Sequence, residues 1–341
     1  MSYEELNTWV ANQGLPQFRT KQIFSWMHEK FVDGTDKMTN LPKILRDKID
    51  EAGFLTIREE TRLVSKDDGT IKFLFEMPDG QMIETVFMRY SYGNSICISS
   101  QAGCRMGCKF CASTIGGLIR NLTASEMLEQ VYMAMRLTGE RISNIVVMGT
   151  GEPLDNYDNL LRFIKLITDE RGYNLSQRNI TVSTCGIVPG MLKLAEEKLA
   201  ITLALSLHAP TDEKRKNLMP IAYTYSLDEV ISACKQYFEI TKRRITFEYS
   251  LVKGKNDSME EANELVRLIK GMNCHVNLIP VNPIKERDYE KSDNDSIQKF
   301  KLVLEKNSIN VTIRRSVGSD IDAACGQLRR KYASADLGGN S

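Results

Sequence analysis

The chain lacks any long apolar run and has almost no net charge, and each absence excludes a class of protein. No stretch of the 341 residues approaches the apolar length of a membrane span, so we expect no transmembrane segment. The 45 lysines and arginines nearly balance the 44 aspartates and glutamates, so the net charge gives no general case for nucleic-acid binding. Any RNA-binding surface must therefore be a local basic patch.

The beginning of the chain also lacks the order of a secretory signal. The opening sequence MSYEELNTWV carries early acids instead of a basic segment followed by an apolar one. We therefore expect a cytoplasmic protein whose eight cysteines are reduced, metal-bound or catalytic and do not form a disulfide scaffold. With 42% hydrophobic and 26% charged residues, the composition is that of an ordinary globular protein.

The first quarter of the chain changes from helical to strand patterns. Up to Gly53, three segments carry apolar residues at helical spacing: YEELNTWVANQG, TKQIFSWMHEKF and LPKILRDKIDEAG. From Thr61 to Ser100, the turn signals DDG and PDG separate the runs TIKFLFEM, MIETVFM and SICISS. We expect a small helical domain over residues 1–55, followed by a β-meander over residues 56–95.

After Cys111, apolar runs alternate with helical segments. The runs are ISNIVVMG, NITVSTCG, ITLALSLH, ITFEYSLV, HVNLIPVN and NVTIRRSVG. The helices between them begin with capping boxes: Thr123 with Glu126, Ser226 with Glu229, and Ser258 with Glu261. Repeated βα units predict a parallel sheet, either a barrel or an open doubly wound sheet, with functional groups at the carboxyl ends of the strands. We favour an incomplete barrel over residues 96–330, followed by a small polar tail, 331–341, that we expect to be flexible.

Three cysteines, Cys104, Cys108 and Cys111, lie within the stretch QAGCRMGCKFCAS. Their C-x3-C-x2-C spacing differs from the paired knuckles of structural zinc sites, although a distant fourth ligand could complete such a site. Three thiolates can instead hold three irons of a [4Fe-4S] cluster, which leaves the fourth iron to a different ligand. A molecule with an amine and a carboxylate, such as S-adenosylmethionine, can chelate that iron.

This loop, with Phe110 before its last cysteine, resembles the radical S-adenosylmethionine signature. Further motifs extend the resemblance over nearly the whole chain, to the RlmN/Cfr family of RNA adenosine methyltransferases: ICISSQAGC, GEPL, VSTCGIVP, LSLHAP, LMPI, NLIPVNP and GSDIDAACGQLRR. Ala102, Pro153 and the motif LSLHAP fit the branch that methylates carbon 2 of adenine better than the carbon 8 branch. The resemblance implies an α/β fold with a partial (β/α)6 TIM-like barrel, and a reduced cluster that generates a 5'-deoxyadenosyl radical.

The resemblance also implies the residues that bind these groups. Cys104, Cys108 and Cys111 would hold one [4Fe-4S] cluster. Polar residues at several strand ends would contact S-adenosylmethionine, of which two are used per turnover: Gly151, Glu152, Ser183, Ser206, Leu207, His208 and Asn282. Taken singly, each could also be a loop cap, and His208 could be a histidine satisfied within the barrel.

Two further cysteines have roles that only the resemblance supplies, since an isolated cysteine is more often a small buried hydrophobe. Cys325 would accept a methyl group from one S-adenosylmethionine, and hydrogen abstraction would then give a carbon radical that adds to adenine. Cys97 would resolve this protein–RNA adduct through a transient disulfide with Cys325, which external thiols reduce. Glu84 matches the proton acceptor of the family, although the sequence alone favours a solvated strand residue. The other cysteines are interpreted as buried core residues: Cys185, Cys234 and Cys274.

The implied substrates are 23S rRNA, in its peptidyl-transferase region, and the anticodon loop of tRNA. We also expect a flavodoxin-like electron donor and a monomeric enzyme. Basic clusters that could contact phosphates along one rim are Lys214 to Lys216, Lys242 to Arg244, Arg314 to Arg315 and Arg329 to Lys331. Two alternatives stay open: carbon 8 methylation of 23S rRNA with antibiotic resistance, as in Cfr, and a noncatalytic RNA-binding protein that holds zinc.

Overall fold

The chain begins with three short helices that share a small core. The computed structural model describes residues 1–281, 289–314, 318–321 and 328. The three helices match the predicted segments: α1 (Tyr3–Asn12), α2 (Phe18–His28) and α3 (Lys43–Glu51). Val10, Phe24 and Leu45 are buried together between them. The helical region therefore has an apolar core of its own.

A β-meander follows the helices, as the turn signals predict. Its strands are β1 (Arg58–Val64), β2 (Ile71–Glu76), β3 (Met82–Tyr90) and β4 (Gly93–Cys97). Each strand pairs antiparallel with the next one. β1 begins before the predicted start at Thr61. The meander continues directly into the larger sheet because β4 also pairs in parallel with a later strand.

β4 is the first of the parallel strands. A small antiparallel ribbon comes next, with strands β5 (Gln101–Gly103) and β6 (Leu118–Asn121). The other parallel strands are β7 (Ile142–Val147), β8 (Ile180–Thr184), β9 (Thr202–Ser206), β10 (Ile245–Leu251), β11 (Cys274–Pro280) and β12 (Asn310–Ile313). In the described part of the chain, they and the meander form one ten-stranded sheet, in the order β1-β2-β3-β4-β7-β8-β9-β10-β11-β12.

The parallel strands curve around a common cavity but do not close. Among the described residues, β4 and β12 are not paired with each other. Residues at the ends of β7, β8, β9, β10 and β11 nevertheless line the same cavity. The predicted α/β fold with an incomplete barrel is therefore confirmed, and functional groups can gather at the carboxyl ends of its strands.

Helices cover the outer face of the sheet: α4 (Ala124–Thr138), α5 (Tyr157–Ile167), α6 (Val188–Glu196), α8 (Leu227–Thr241), α9 (Met259–Ile269) and α10 (Asn294–Lys306). The shorter helix α7 (Asp212–Leu218) follows β9 and lies beside the loop of the three cysteines. The predicted capping boxes at Thr123, Ser226 and Ser258 begin α4, α8 and α9, where they satisfy free helix amides. Phe163 and Phe247 are fully buried in the large core between helices and sheet. No helix within the described ranges is long and apolar enough to cross a membrane.

The N-terminal helices dock on the barrel through α4. His28 Nδ1 lies 3.0 Å from the Tyr132 hydroxyl in a buried contact. Arg136 donates to the carbonyl oxygen of Phe31 at 3.0 Å. Polar contacts thus fix the helical region against the barrel.

Candidate active site

The three clustered cysteines lie on the loop between β5 and β6. Gly103 enters this loop with a φ of +80°, and a Cβ there would lie 2.1 Å from the Gly117 carbonyl oxygen, so the position requires glycine. The Thr114 hydroxyl donates to the carbonyl oxygens of Cys108 and Cys111 at 3.1 and 2.9 Å. Hydrogen bonds within the loop, donated by the Thr114 side chain, therefore help to fix its shape.

All three cysteines line the cavity at the carboxyl ends of the parallel strands. Cys104 and Cys108 are buried, and Cys111 is half-buried. The cavity has a volume of about 290 Å³, near the lower end of the ~300–1,000 Å³ of small-molecule sites. The loop thus turns its thiols toward a space that a small molecule can enter.

The thiols suit a positively charged group that is larger than one metal ion. Burial raises the pKa of Cys104 to about 12 and raises the pKa of Cys108 as well, so thiolates are unfavourable there without a cation. Among the described residues, no three His, Cys, Asp or Glu side chains converge as the ligands of a single ion would. A [4Fe-4S] cluster takes each thiolate on a different iron and supplies the missing positive charge, so these residues fit it.

Glu152 joins three segments of the cavity wall. Its carboxylate oxygens accept from the backbone amides of Leu154 at 3.0 Å and Cys185 at 2.7 Å. Its own amide donates to the Gln101 side chain at 2.9 Å. Burial raises the pKa of Glu152 above its usual range, and these backbone amides oppose that shift. The side chains of Cys185 and Thr184 also donate to this carboxylate, so the cavity wall itself satisfies most of its acceptor capacity.

Gly151 lines the cavity, but the structure shows that glycine is needed there for packing within the protein and not only for close approach of a cofactor. Its φ is +112°, and a Cβ there would lie 2.7 Å from both the Gln101 Cβ and the Ser100 hydroxyl. The missing side chain therefore makes room for the neighbouring strand end. The backbone at this position is also held in a conformation that other residues rarely adopt.

Ser183, Ser206 and His208 also line the cavity. The two serine hydroxyls lie 3.4 Å apart. His208 has a left-handed φ of 58°, and its Nδ1 accepts from the Ser250 amide at 2.9 Å. Its ring meets Phe110 edge-on, with 4.7 Å between centroids. Burial lowers the pKa of His208 to about 3, so the imidazole is neutral and takes part in both the fold and the cavity wall.

Two other residues that were predicted to contact S-adenosylmethionine, Leu207 and Asn282, are not among the described residues that line the cavity. The Leu207 side chain is fully buried in the large apolar core, and its amide donates to the Glu248 carbonyl oxygen at 3.0 Å. Only the backbone of Leu207 can therefore approach a ligand, because strand alternation turns its side chain away from its cavity-lining neighbours. Asn282 lies outside the described residues.

Sequence reasoning missed Glu248, which lies in the cavity wall at the middle of β10. Its Oε1 accepts from the Asn277 side chain at 2.9 Å, and its Oε2 has no hydrogen-bond partner among the described residues. Burial raises the pKa of Glu248, which is only 4% exposed. A carboxylate inside the otherwise buried run ITFEYSL was a signal that could have identified this position.

Glu84 is not the solvated strand residue that the sequence favoured. Its Oε2 lies 3.0 Å from Lys72 Nζ, and the two side chains are 3% and 0% exposed. The pairing of β2 with β3 puts Lys72 opposite Val86, next to Glu84 on the same face. A buried ion pair thus keeps this carboxylate inside the protein, and that pairing is invisible in the sequence.

Cys97 lies on the same face of the sheet as Glu84, because it pairs with Val86 across β3 and β4. Its thiol is buried in a small apolar cluster with Met88 and, at its edge, Met148. Met148 also lines the cavity, so this cluster adjoins the site without opening into it. No disulfide joins two of the cysteines in the described part of the chain, so the predicted disulfide has no support here. Cys325 lies outside the described residues.

The basic clusters do not form the single rim that the sequence suggested. Lys214 is paired with Glu261, and Arg215 is fully buried, so this cluster is not a run of solvated charges. Lys242 to Arg244 precede β10 and lie at the amino ends of the strands, opposite the cavity. Arg314 lines the cavity itself. The rest lie outside the described residues: Arg315 and Arg329 to Lys331.

Two family profiles match separate parts of the chain. The Radical SAM superfamily matches residues 98–268, which include the cysteine loop and most of the parallel strands. The Ribosomal RNA large subunit methyltransferase N-terminal domain matches residues 1–54, which include the three N-terminal helices. Both halves of the fold thus have known counterparts.

Individual relatives match over nearly the full length. A probable dual-specificity RNA methyltransferase RlmN of Lachnospira eligens is 60% identical over 97% of this chain and 95% of its own. The protein of the same name from Clostridium novyi is 55% identical over 96% of each chain. The crystal structure of a radical SAM methyltransferase from Sphaerobacter thermophilus is 43% identical, with a TM-score of 0.93 over 96% of this chain and 97% of that one. This chain therefore belongs to the RlmN family of radical SAM RNA methyltransferases.

Proposed function

We propose that this enzyme methylates carbon 2 of one adenosine in the peptidyl-transferase region of 23S rRNA and of one in the tRNA anticodon loop. The observation that carries the proposal is the convergence of three thiols and several buried polar groups on one cavity. The name dual-specificity RNA methyltransferase, which its relatives carry, supports two RNA substrates. The motifs QAGC, GEPL and LSLHAP favour carbon 2 over carbon 8.

Within the cavity, Cys104, Cys108 and Cys111 would hold one [4Fe-4S] cluster. When bound, this cluster supplies the electron for reductive cleavage of S-adenosylmethionine. The residues proposed to contact S-adenosylmethionine are Gly151, Glu152, Ser183, Ser206, the backbone of Leu207, His208 and Asn282. We add Glu248, because its open Oε2 can accept from a hydroxyl or an amine of the ligand.

Cys325, Cys97 and Glu84 remain the proposed catalytic residues. Cys325 would carry the methyl group, Cys97 would release the product through a transient disulfide, and Glu84 would accept the proton from carbon 2. Glu84 and Cys97 share one face of the sheet, which supports their action on one intermediate. The contact with Lys72 keeps the Glu84 carboxyl group inside the protein, on the face that Cys97 shares.

The division of labour along the chain is also a proposal. Residues 1–55 would be the RNA-binding accessory domain, 56–95 the connecting meander, and 96–330 the catalytic domain. An exposed aromatic ring with a basic side chain beside it supports RNA contact, since Phe18 is exposed and Arg19 lies 4.8 Å from its ring. Lys30 likewise lies 3.5 Å from the ring of the half-buried Trp26. We propose a monomeric, cytoplasmic enzyme that receives electrons from a flavodoxin-like donor.

Nucleoside analysis tests the proposal. Anaerobically reconstituted protein, a reductant and methyl-labelled S-adenosylmethionine are incubated with rRNA and tRNA from a strain that lacks the gene. We expect labelled 2-methyladenosine from both RNAs, and none with Cys108→Ala. Labelled 8-methyladenosine would instead identify the other branch. Zinc without iron or sulfide in anaerobically purified protein would favour the noncatalytic alternative.

A further inference from the structure

Arg215 on α7 is a fully buried cation; Asp212 on the same helix favours its charge but forms no ion pair with it. Its Nη2 donates to the Cys185 carbonyl oxygen at 2.6 Å, but Nε and Nη1 have no hydrogen-bond partner in the described part of the chain. Within the described ranges, no carboxylate lies at ion-pair distance from this guanidinium. Apolar side chains lie beside it. A Cβ added at Gly186 would lie 3.2 Å from Arg215 Nη2 and 3.3 Å from side-chain carbons of both Leu205 and Val230.

Such a group is costly unless an anion is nearby. Removing a charged side chain from water is strongly unfavourable, even after the protein relaxes around it. Burial accordingly lowers the pKa of Arg215, while the thiols of Cys185 and Cys108 act in the opposite direction. Cys108, one of the three cysteines of the loop, is thus among the groups that interact electrostatically with Arg215.

The cysteines of the loop would bring negative charge into the same buried region once they hold a cluster. Cys108 is buried in one small apolar cluster with Cys185, whose carbonyl oxygen accepts from Arg215. A cluster bound by three thiolates carries a net negative charge, which grows when the cluster is reduced by one electron. The unpaired cation and the anionic assembly therefore compensate each other once the cluster is present.

Helix α7 also touches the loop directly. The Lys109 amide donates to the Leu218 carbonyl oxygen at 2.9 Å, and the Met219 amide donates to the Arg215 carbonyl oxygen at 2.7 Å. The side chain of Arg215 ties the same helix to Cys185, which lines the cavity. Arg215 is thus placed to act on the loop through its charge and through the position of α7.

We propose that Arg215 is the buried counter-charge of the cluster assembly, a positioning residue that acts through its charge and makes reduction of the cluster easier. This inference rests on the proposed cluster site and goes beyond it. A nearby positive charge stabilises the more negative, reduced state, so it raises the reduction potential.

Potentiometric titration followed by electron paramagnetic resonance tests the charge. In Arg215→Met, we expect the ratio of reduced to oxidised cluster at a fixed potential to fall about tenfold, which corresponds to about 59 mV. Arg215→Lys should retain most of the wild-type ratio. The matched control is Lys214→Met on the same helix, where solvent screens the lost charge, and it should leave the ratio unchanged. An unchanged ratio in Arg215→Met would overturn the proposal, as would an equal loss in Arg215→Lys.

Stability of the cluster-free protein gives a second readout, which does not require a loaded variant. Without the cluster, the buried cation is a cost, so apo Arg215→Met should be at least as stable to urea as apo wild type. With the cluster bound, the order should reverse. An apo variant that is clearly less stable than apo wild type would show a purely structural arginine and would overturn the proposal. Wild-type protein that takes up no iron and sulfide would instead remove the cluster site itself.

Discussion

The inner face of the meander strands β2 and β3, here called the meander wall, buries one carboxylate. The cavity wall, which includes β10, buries another. The two carboxylates differ in how their charge is balanced. Glu84 on the meander meets Lys72 at 3.0 Å, so the protein itself neutralises the charge. Glu248 on the barrel has one oxygen bonded to Asn277 and the other without a partner among the described residues. A buried polar atom left unpaired costs ~1–3 kcal/mol. The protein therefore balances the buried charge of the meander wall by itself, whereas the cavity wall has an acceptor atom that a ligand can use.

An unpaired buried atom does not by itself mark a ligand site. His28 Nε2 is also buried without a hydrogen-bond partner among the described residues, yet it lies where the N-terminal helices meet α4. Glu248 differs because it lines the cavity that the cysteines share. The combination of an open polar atom and a common cavity is what distinguishes the candidate site from the rest of the core.

The largest expected effect lies on the cavity wall. Cys108→Ala should abolish retention of the cluster, because two thiolates leave two irons without protein ligands. The control is Cys234→Ala, which removes a fully buried thiol on α8 outside the cavity and should keep the wild-type iron content. Iron and sulfide analysis after anaerobic reconstitution measures both. Wild-type iron in Cys108→Ala would contradict the assignment of the loop.

On the meander wall, breaking the ion pair should cost stability. Lys72→Met leaves the Glu84 charge buried without this partner and should lower the free energy of unfolding by about 3–5 kcal/mol. Replacing both residues, with Met and Leu, should recover much of that loss because no uncompensated charge remains. Urea denaturation of the apo protein measures the series. A loss below about 1 kcal/mol in Lys72→Met would mean that the fold does not depend on this pair.

The corresponding change at Glu248 should affect binding and spare the fold. Glu248→Gln removes a charge-assisted hydrogen bond worth about 1.5–3 kcal/mol, so S-adenosylmethionine should bind about ten- to hundredfold more weakly to the cluster-loaded protein. Burial already raises the pKa of Glu248, so a neutral amide should not lower stability. Isothermal titration calorimetry and urea denaturation separate the two quantities.

Glu129→Gln is the matched control for that variant. Glu129 is a buried carboxylate on α4, paired with Arg136 away from the cavity. Its replacement should lower stability and leave the affinity for S-adenosylmethionine unchanged. Equal affinities in wild type and Glu248→Gln would remove Glu248 from the site and would weaken the contrast between the two walls.

The smallest expected effect is the pH dependence at His28. Burial and the positive amino terminus of Met1 lower its pKa to about 4, and Asp169 opposes this shift. The ring also faces Phe24 and the Tyr132 hydroxyl. In the unfolded chain, the histidine has a pKa near 6.5, so as the pH falls the unfolded state binds a proton before the folded state does. The free energy of unfolding is therefore highest above pH 6.5 and decreases as the pH falls toward 4.

This loss should amount to about 1 kcal/mol between pH 7 and pH 5.5. His28→Gln should flatten that part of the profile, as urea denaturation at several pH values would measure. His275→Gln is the control, since His275 is only half-buried on β11 and has a smaller depression of its pKa. The same slope in wild type and His28→Gln would show that His28 does not remain neutral in the folded interface.

Local signals in the sequence predicted much of the fold. The capping boxes at Thr123, Ser226 and Ser258 begin helices where expected, because their hydrogen bonds span only three residues. The runs rich in Val, Ile and Leu became the parallel strands, of which β10 is buried along its whole length. The cysteine spacing likewise predicted a shared cavity, since all three thiols lie on one short loop.

Features that depend on distant partners could not be predicted in this way. Glu84 looks solvated until the register of β2 and β3 brings Lys72 beside it. Arg215 looks like part of a solvated basic run until α7 turns it into the core. Leu207 belongs to the motif LSLH, but strand alternation points its side chain away from the cavity. Long-range geometry decided each case.

The central claim is that the cavity leaves one iron of a three-thiolate cluster open for S-adenosylmethionine. Electron–nuclear double resonance of the reduced, cluster-loaded protein tests this directly, with S-adenosylmethionine labelled by 15N in the amine and 17O in the carboxylate. The account predicts that both labels couple to the cluster spin in wild type. Bound S-adenosylmethionine whose labels give no coupling would contradict it.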